Sequence, residues 1–236
     1  MLFSRQNLST LSTTGTHQSH QRIQKSQIVN IAGVRGERAK RFIVMAANGS
    51  KGDTATSVLF LCLGNICRSP TAEAVFRNTV EKNAAASRYV IDSCGTGGGA
   101  SGWYKPGGFA YHEGDAADSR MRQAASARGI RLTSRSRPLK PDDLEEFDMI
   151  VCMDEENVRS VSTAVSYWKE KGMVGAEYRA TVTKMTQFLR DPAWKQYDHV
   201  PDPYYGGSKG FELVLDLLDD ACKGLFEHTE SSMNNK

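Results

Sequence analysis

The sequence lacks any apolar run of the roughly 20 residues needed to cross a membrane. The nearest candidate, Val58 to Leu63, is strand-sized, so no membrane partner is expected. Cysteine is sparse and odd in number: Cys62, Cys67, Cys94, Cys152 and Cys222 lie at irregular spacing in 236 residues. That excludes a disulfide scaffold and fits a reducing compartment. No Gly-Lys-Ser/Thr follows a glycine-rich turn, which excludes a nucleotide P-loop. Acid is nearly missing from residues 1–50, which hold seven Lys/Arg against Glu37 alone, a net +6. The whole chain carries +3, so the remainder carries −3. The basic excess therefore belongs to the N-terminus, and the body has no basic face to hold nucleic acid.

What is present at the N-terminus is Ser, Thr and basic residues, with two histidines and no continuous apolar stretch. This is the composition of an organelle transit peptide. "RFIVMAAN", Arg41 to Asn48, resembles a plastid processing site, with cleavage near Ala46 or Ala47. Residues 1–47 are expected to be a disordered leader to the plastid stroma, with mitochondrion or cytoplasm as alternatives. Residues 48–56 read as a linker, 57–228 as the folded domain, and 229–236 as a flexible tail.

From Ser57 onward, strand and helix signals alternate. Val58 to Leu63 is a doubly buried strand. Ser69 reads as an N-cap with Pro70 at the first helical position. Ala72, Val75, Phe76, Thr79 and Val80 follow at helical spacing. Further strands are expected at Tyr89 to Cys94, Met149 to Met153 and near Val182 to Phe188. Helices are expected from about Asp118 to Arg128, from Pro141, after Met153 and from about Ser208. On the last, Phe211, Val214, Leu215, Leu218, Cys222 and Leu225 form one apolar stripe. Cys152 and Cys222 read as core packing. Alternating strands and helices imply an α/β fold, a parallel sheet with helices on both faces. Ligands in such folds bind beyond the carboxyl ends of strands, where Cys62 lies.

"CLGNICRS" joins that strand to its helix through Leu63, Gly64, Asn65, Ile66 and Cys67. A turn of this kind aims backbone N–H groups inward and, with the helix N-terminus, makes an anion site. Gly64 and Asn65 suit a partly left-handed turn. The same field favours a thiolate, since helix N-termini lower a cysteine from about 8.5 to roughly 3.5–7.5. Arg68 offers paired planar donors to phosphate oxygens, and Ser69 a hydroxyl to the sulfur. Taken alone, Cys62 is an ordinary buried strand cysteine. With Gly64, Asn65, Arg68 and Ser69 at this spacing it reads as a nucleophile that forms a phosphocysteine. "GTGGGA", Gly95 to Ala100, formally fits a dinucleotide fingerprint, but Ser101 to Gly108 cannot open a helix, so a flexible loop is expected. Expelling an aryl oxygen benefits from a general acid. "VPDPYYGG" supplies Asp202, stiffened by Pro203, with Tyr204 and Tyr205 to flank an aromatic leaving group.

"CLGNICRSPTAE", "CMDEEN" and "DPYYGG" in this order resemble the low-molecular-weight protein tyrosine phosphatase family, over about residues 57 to 227. The resemblance implies a three-layer α/β fold with a four-stranded parallel sheet, no metal or cofactor, and a monomer acting on a phosphotyrosyl protein or small aryl phosphate. It implies that Cys62 is nucleophile, Arg68 binds phosphate, and Asp202 is acid and then base. Asn65 would hold the loop through Ser69 and Ser93, and Trp103 would wall the cleft opposite Tyr204 and Tyr205. A histidine often found in the supporting network appears here as Ser134. The loop Gly97 to Asp118 looks longer than usual. Three rivals differ in activity. An arsenate reductase of the same fold needs resolving cysteines, and none lies between Cys94 and Cys152. An arginine phosphatase tends to carry threonine at the position of Ile66. A non-catalytic redox-sensing phosphate binder would have no use for Asp202.

Overall fold

The computed structural model describes residues 55–205 and 207–234, the side chains of Tyr205 and Asn234 excepted. The leader 1–47, all but the last two residues of the linker, and the Tyr205 side chain lie outside the described residues. Four parallel strands form one sheet: β1 (Thr56–Cys62), β2 (Tyr89–Gly95), β3 (Met149–Cys152) and β4 (Thr181–Lys184), in the order β2-β1-β3-β4. β1 is central and paired on both sides, with Cys62 opposite Gly95 and Leu61 opposite Cys152.

The side-chain alternation of a strand explains why Val58 to Leu61 form an unbroken apolar run. Val58, Phe60 and Cys62 join a core beneath α1 (Arg68–Lys82) and α5 (Gly207–Asn234). Leu59 and Leu61 face the other way, onto α3 (Asp143–Glu146) and α4 (Glu155–Glu170) through Leu144, Val161 and Trp168. Every residue of Val58–Leu61 is fully buried. Phe76 of α1 meets Phe60 and Tyr89 edge-on at 5.6 and 5.5 Å. Truncating such a ring costs about 3–5 kcal/mol. The apolar stripe expected on the last helix, Phe211 to Leu225, is buried throughout.

Three boundaries differ from the sequence reading. The fourth strand ends at Lys184, and Met185–Phe188 forms a 3-10 turn instead. Met185 is fully buried there and Phe188 packs on the α5 core, so core burial selects the turn over a longer strand. α5 runs to Asn234, where a tail from residue 229 was expected. Thr229 is buried and its hydroxyl lies 2.7 Å from that of Tyr89, whose proton goes to Glu230. Finally, α1 starts at Arg68, with Cys67 rather than Ser69 at the N-cap and no side-chain cap. The Ser69 hydroxyl is engaged inside the loop that precedes the helix.

Candidate active site

The loop between β1 and α1 is built around Asn65, which holds φ +53°, a left-handed conformation that asparagine tolerates better than most residues. Its side chain is fully used. Nδ2 donates to Ser69 Oγ at 3.0 Å and to Ser93 Oγ at 2.9 Å, and Oδ1 accepts from the Arg137 N–H at 2.9 Å. Ser93 in turn donates to the buried Glu73 at 2.6 Å. The backbone N–H groups of residues 64–68 donate to no carbonyl among the described residues, which leaves a run of donors for an anion. At the floor of this loop, Cys62 Sγ lies 3.1 Å from Ser69 Oγ. Ser69 also reaches the Cys94 carbonyl at 3.2 Å. Its single proton serves that carbonyl when the thiol donates, and the sulfur when the thiol is ionised.

Arg68 is buried and reaches three partners. Its guanidinium donates to Asp154 at 2.6 Å, to the Val200 carbonyl at 3.1 Å and to Asp202 at 3.1 Å. Burial pulls its pKa down, but the Cys62 sulfur, Asp202 and Asp154 outweigh that and raise it. Arg68 thus stays a cation in a site of partial desolvation. Asp154 caps α4 through the Asn157 N–H at 2.7 Å and so fixes the guanidinium from the far side. Asp202 is the more exposed of the two acids and accepts from the Tyr204 N–H at 3.0 Å. The sequence elements "CLGNICRS" and "DPYY" therefore converge on one mouth.

Cys67 is buried. Burial first, and then the neighbouring Cys62, push its thiol well above the ordinary range. All five cysteines are free. Among the described residues no group of His, Cys, Asp and Glu could hold a metal ion.

Several supports were invisible in the sequence. Gly95 lies so close that a Cβ there would meet the Leu63 carbonyl at 2.9 Å and the Asn65 nitrogen at 3.0 Å. Arg137 pairs with Asp92 and Asp143 and ties their elements to Asn65. Ser136, not Ser134, supports the loop, donating to the Gly64 carbonyl at 3.0 Å. Ser134 makes no such bond among the described residues, whereas Ser136, next to the Ala116–Arg135 bridge, is buried. The Asp118 N–H holds the Ile66 carbonyl at 2.7 Å. Only a signal of proximity, such as covarying positions, could have found these.

The glycine-rich segment after β2 is an anchored turn. The N–H groups of Thr96 and Gly98 donate to the Leu63 carbonyl at 3.0 and 2.9 Å. A Cβ on Gly97, at φ +79°, would collide with Trp103. Trp103 lies half-buried beneath that turn, edge-on to Trp168 at 6.1 Å. Nearer the loop is His112, 3.2 Å from where a Cβ on Gly64 would stand, while Tyr111 lies against Gly98. Tyr204 is exposed, with the Arg120 guanidinium 4.9 Å over its ring.

An anion cradle with a thiol at its floor, an arginine at its lip and a carboxyl facing that arginine defines the class of cysteine-dependent phosphate-binding α/β proteins. The family model "Low molecular weight phosphotyrosine protein phosphatase" matches residues 57–235, and the chain belongs to that family. The Schizosaccharomyces pombe low molecular weight phosphotyrosine protein phosphatase is 40% identical over 164 residues, 69% of this chain and 90% of that protein. The Bacillus subtilis low molecular weight protein-tyrosine-phosphatase YfkJ is 36% identical over 170 residues, 72% of this chain and 92% of its own. A crystal structure of protein tyrosine phosphatase from Entamoeba histolytica, with Hepes in the active site, is 37% identical. It matches at TM-score 0.63 over 75% of this chain and 99% of that one.

Proposed function

We propose that this protein hydrolyses phosphotyrosine monoesters of proteins, and small aryl phosphates, through a cysteinyl-phosphate intermediate. The observation that carries this reading is the convergence of Cys62, Arg68 and Asp202 on one loop of free N–H donors. The phosphate dianion occupies the N–H cradle and takes donors of Arg68. Competition for that guanidinium releases Asp202 from its 3.1 Å contact and leaves it beside the leaving oxygen. The Cys62 thiolate attacks phosphorus in line, the P–O bond to the aryl group breaks, and Asp202, released from Arg68 and carrying a proton taken up from solvent, passes that proton to the departing oxygen. The N–H groups and Arg68 hold the charge of the equatorial oxygens. Water then attacks the phosphocysteine, Asp202 takes its proton, and the P–S bond breaks. Ser69 donates to the departing sulfur. Asp154 holds Arg68 in place throughout.

The test is hydrolysis of p-nitrophenyl phosphate and of a phosphotyrosyl peptide, inhibited by vanadate and indifferent to chelators. Cys62→Ser abolishes turnover while vanadate binding survives, because the cradle remains. Residual turnover above about one hundredth of wild type overturns Cys62 as nucleophile.

Three finer readings belong with it. Residues 1–47 act as a plastid transit peptide, supported by their basic, acid-poor, Ser/Thr-rich composition. The mature enzyme acts as a monomer. Cys67 protects Cys62 from over-oxidation. Peroxide converts the Cys62 thiolate to sulfenic acid, the Cys67 thiol displaces water to form a disulfide, and a dithiol reopens it.

A further inference from the structure

The helix α2 (Ser119–Ala127) carries a cation, Arg120, in its first turn. The field of a helix N-terminus disfavours a cation there, and an exposed arginine paired to a single acid gains little. What the side chain touches accounts for its place. Its guanidinium takes Asp118 as a fork, Nε to Oδ1 at 3.1 Å and Nη2 to Oδ2 at 2.8 Å. Nη1 donates to the Tyr204 carbonyl at 3.4 Å. The same group lies 4.9 Å over the Tyr204 ring and 5.1 Å over the ring of Phe211. Phe211 is buried on α5, so one of the two rings belongs to the fixed core.

The two partners of Arg120 lead to the two halves of the site. Asp118 leads to the phosphate loop: its N–H donates to the Ile66 carbonyl at 2.7 Å, and its carboxylate caps α2 through the Arg120 N–H at 2.8 Å. Hydrogen bonds from the Arg120 side chain hold that carboxyl below its usual range, so the fork is an ion pair. Tyr204 leads to the acid. Its N–H donates to Asp202 Oδ1 at 3.0 Å, while Oδ2 takes Arg68 at 3.1 Å. Once phosphate claims Arg68, the Tyr204 N–H is the one of these two contacts that still aims the carboxyl. Tyr204 is exposed, and Arg120 grips both its carbonyl and its ring.

We propose that Arg120 is a positioning residue for Asp202: by clamping Tyr204 to Asp118 it holds the general acid at a fixed distance from the phosphate loop while Arg68 is occupied by phosphate. The proposal rests on the phosphotyrosine phosphatase reading and adds a residue to it. Arg120 acts through Tyr204 and has no contact with Cys62 or Arg68 among the described residues. The task suits a guanidinium. Its edge meets the carboxylate with paired N–H groups while its face lies on the rings, and a lysine ammonium offers no such fork. Loss of the clamp leaves the acid in place but poorly aimed, and poor aim matters most where the leaving oxygen most needs a proton.

The experiment is single-turnover phosphorylation of the enzyme by phenyl phosphate and by p-nitrophenyl phosphate, in wild type, Arg120→Ala, Asp202→Ala and the double variant. Arg120→Ala lowers the phenyl phosphate rate about tenfold, part of the roughly 10²–10⁴ that a general acid supplies. The p-nitrophenyl phosphate rate falls far less, and vanadate affinity stays at the wild-type value because the cradle and Arg68 are intact. In the Asp202→Ala background the same substitution brings no further loss, since no acid is left to place. Equal losses on the two esters, a full further loss in the Asp202→Ala background, or wild-type rates on both esters in Arg120→Ala each overturn the assignment. If Arg120→Ala fails to fold, Arg120→Lys, which keeps the charge and loses the fork, is judged by the same selective loss. Wild type that fails on p-nitrophenyl phosphate overturns the phosphatase reading, and the role of Arg120 with it.

Discussion

Asp202 and Arg68 form an ion pair at 3.1 Å that the proposed mechanism uses to place the acid, not to stabilise the fold. A carboxylate 38% exposed at its side chain gains little from such a contact. Its worth lies in position. Asp202→Ala lowers phosphorylation of the enzyme by roughly 10²–10⁴ for phenyl phosphate, and far less for p-nitrophenyl phosphate, whose leaving group needs less protonation. Single-turnover rates on both substrates check this, and equal losses below tenfold count against the role. Cys67 carries a second residue-scale prediction. Peroxide removes wild-type activity and dithiothreitol restores most of it, with a Cys62–Cys67 link in peptide maps. Cys67→Ser starts active and recovers poorly; full recovery rejects the latch. The thiol of Cys67 sits high because burial and Cys62 both oppose its ionisation, which leaves the first oxidation to Cys62. Cys62, Asn65, Arg68 and Ser69 were legible in sequence because their chemistry is packed into eight residues. Asp154, Glu73, Ser136 and Arg137 were not, because each reaches the site through a hydrogen bond to a distant segment. Ser69 was placed at the wrong helical position for the same reason: its hydroxyl answers to the sulfur of Cys62 rather than to the helix.

At the scale of elements, the β1–loop–α1 unit is held from beneath by β2. Gly95 pairs with Cys62 and lies against the Leu63 carbonyl and the Asn65 nitrogen. Gly95→Ala forces backbone apart, since both opposing atoms are main chain. The expected cost is about 1–3 kcal/mol, and because the push falls on the loop, kcat/KM for p-nitrophenyl phosphate falls at least about tenfold. Wild-type activity in that variant shows that the loop yields freely. The far end of β1 is fastened differently. The Ser57 N–H and hydroxyl donate to Asp148 at 2.8 and 2.7 Å, and Arg179 reaches its other oxygen. Burial pushes the Asp148 carboxyl up, but these bonds outweigh it and hold it below its usual range. A depressed folded value means stability that is present above the unfolded value near about 4 and lost as pH falls through the folded one. Asp148→Asn therefore destabilises at neutral pH by about 1 kcal/mol, and the gap to wild type closes below that range. Denaturant midpoints at pH 7 and in mild acid measure it; a gap that widens in acid reverses the sign. Periodicity located these elements well, since β1 is apolar on both faces and α1 repeats at helical spacing. It misplaced the end of β4 and the start of the tail, where a buried Met185 and a buried Thr229 decide the outcome.

For the whole molecule, charge separates the chain into a basic first fifty residues and a body of net −3. Everything in the proposed chemistry lies between Cys62 and Asp202, and the elements of the described residues lie between Thr56 and Asn234. Two consequences follow from that partition. Removing residues 1–47 leaves kcat and KM for p-nitrophenyl phosphate unchanged, because no group in the mechanism is lost. The removed stretch, joined to a fluorescent reporter, carries it into plastids, where processing near Ala46 to Asn48 yields a smaller protein. The composition argues for this: arginine and lysine without acid suit import machinery that selects cationic, hydroxyl-rich leaders. Substituting Arg5, Arg22 and Lys25 together with acidic residues removes that character while leaving the body untouched, and the reporter then stays outside. Imaging beside a plastid marker, with N-terminal sequencing of the recovered protein, decides the matter. A mitochondrial pattern transfers the address to the other organelle, and a diffuse signal from the intact leader rejects it.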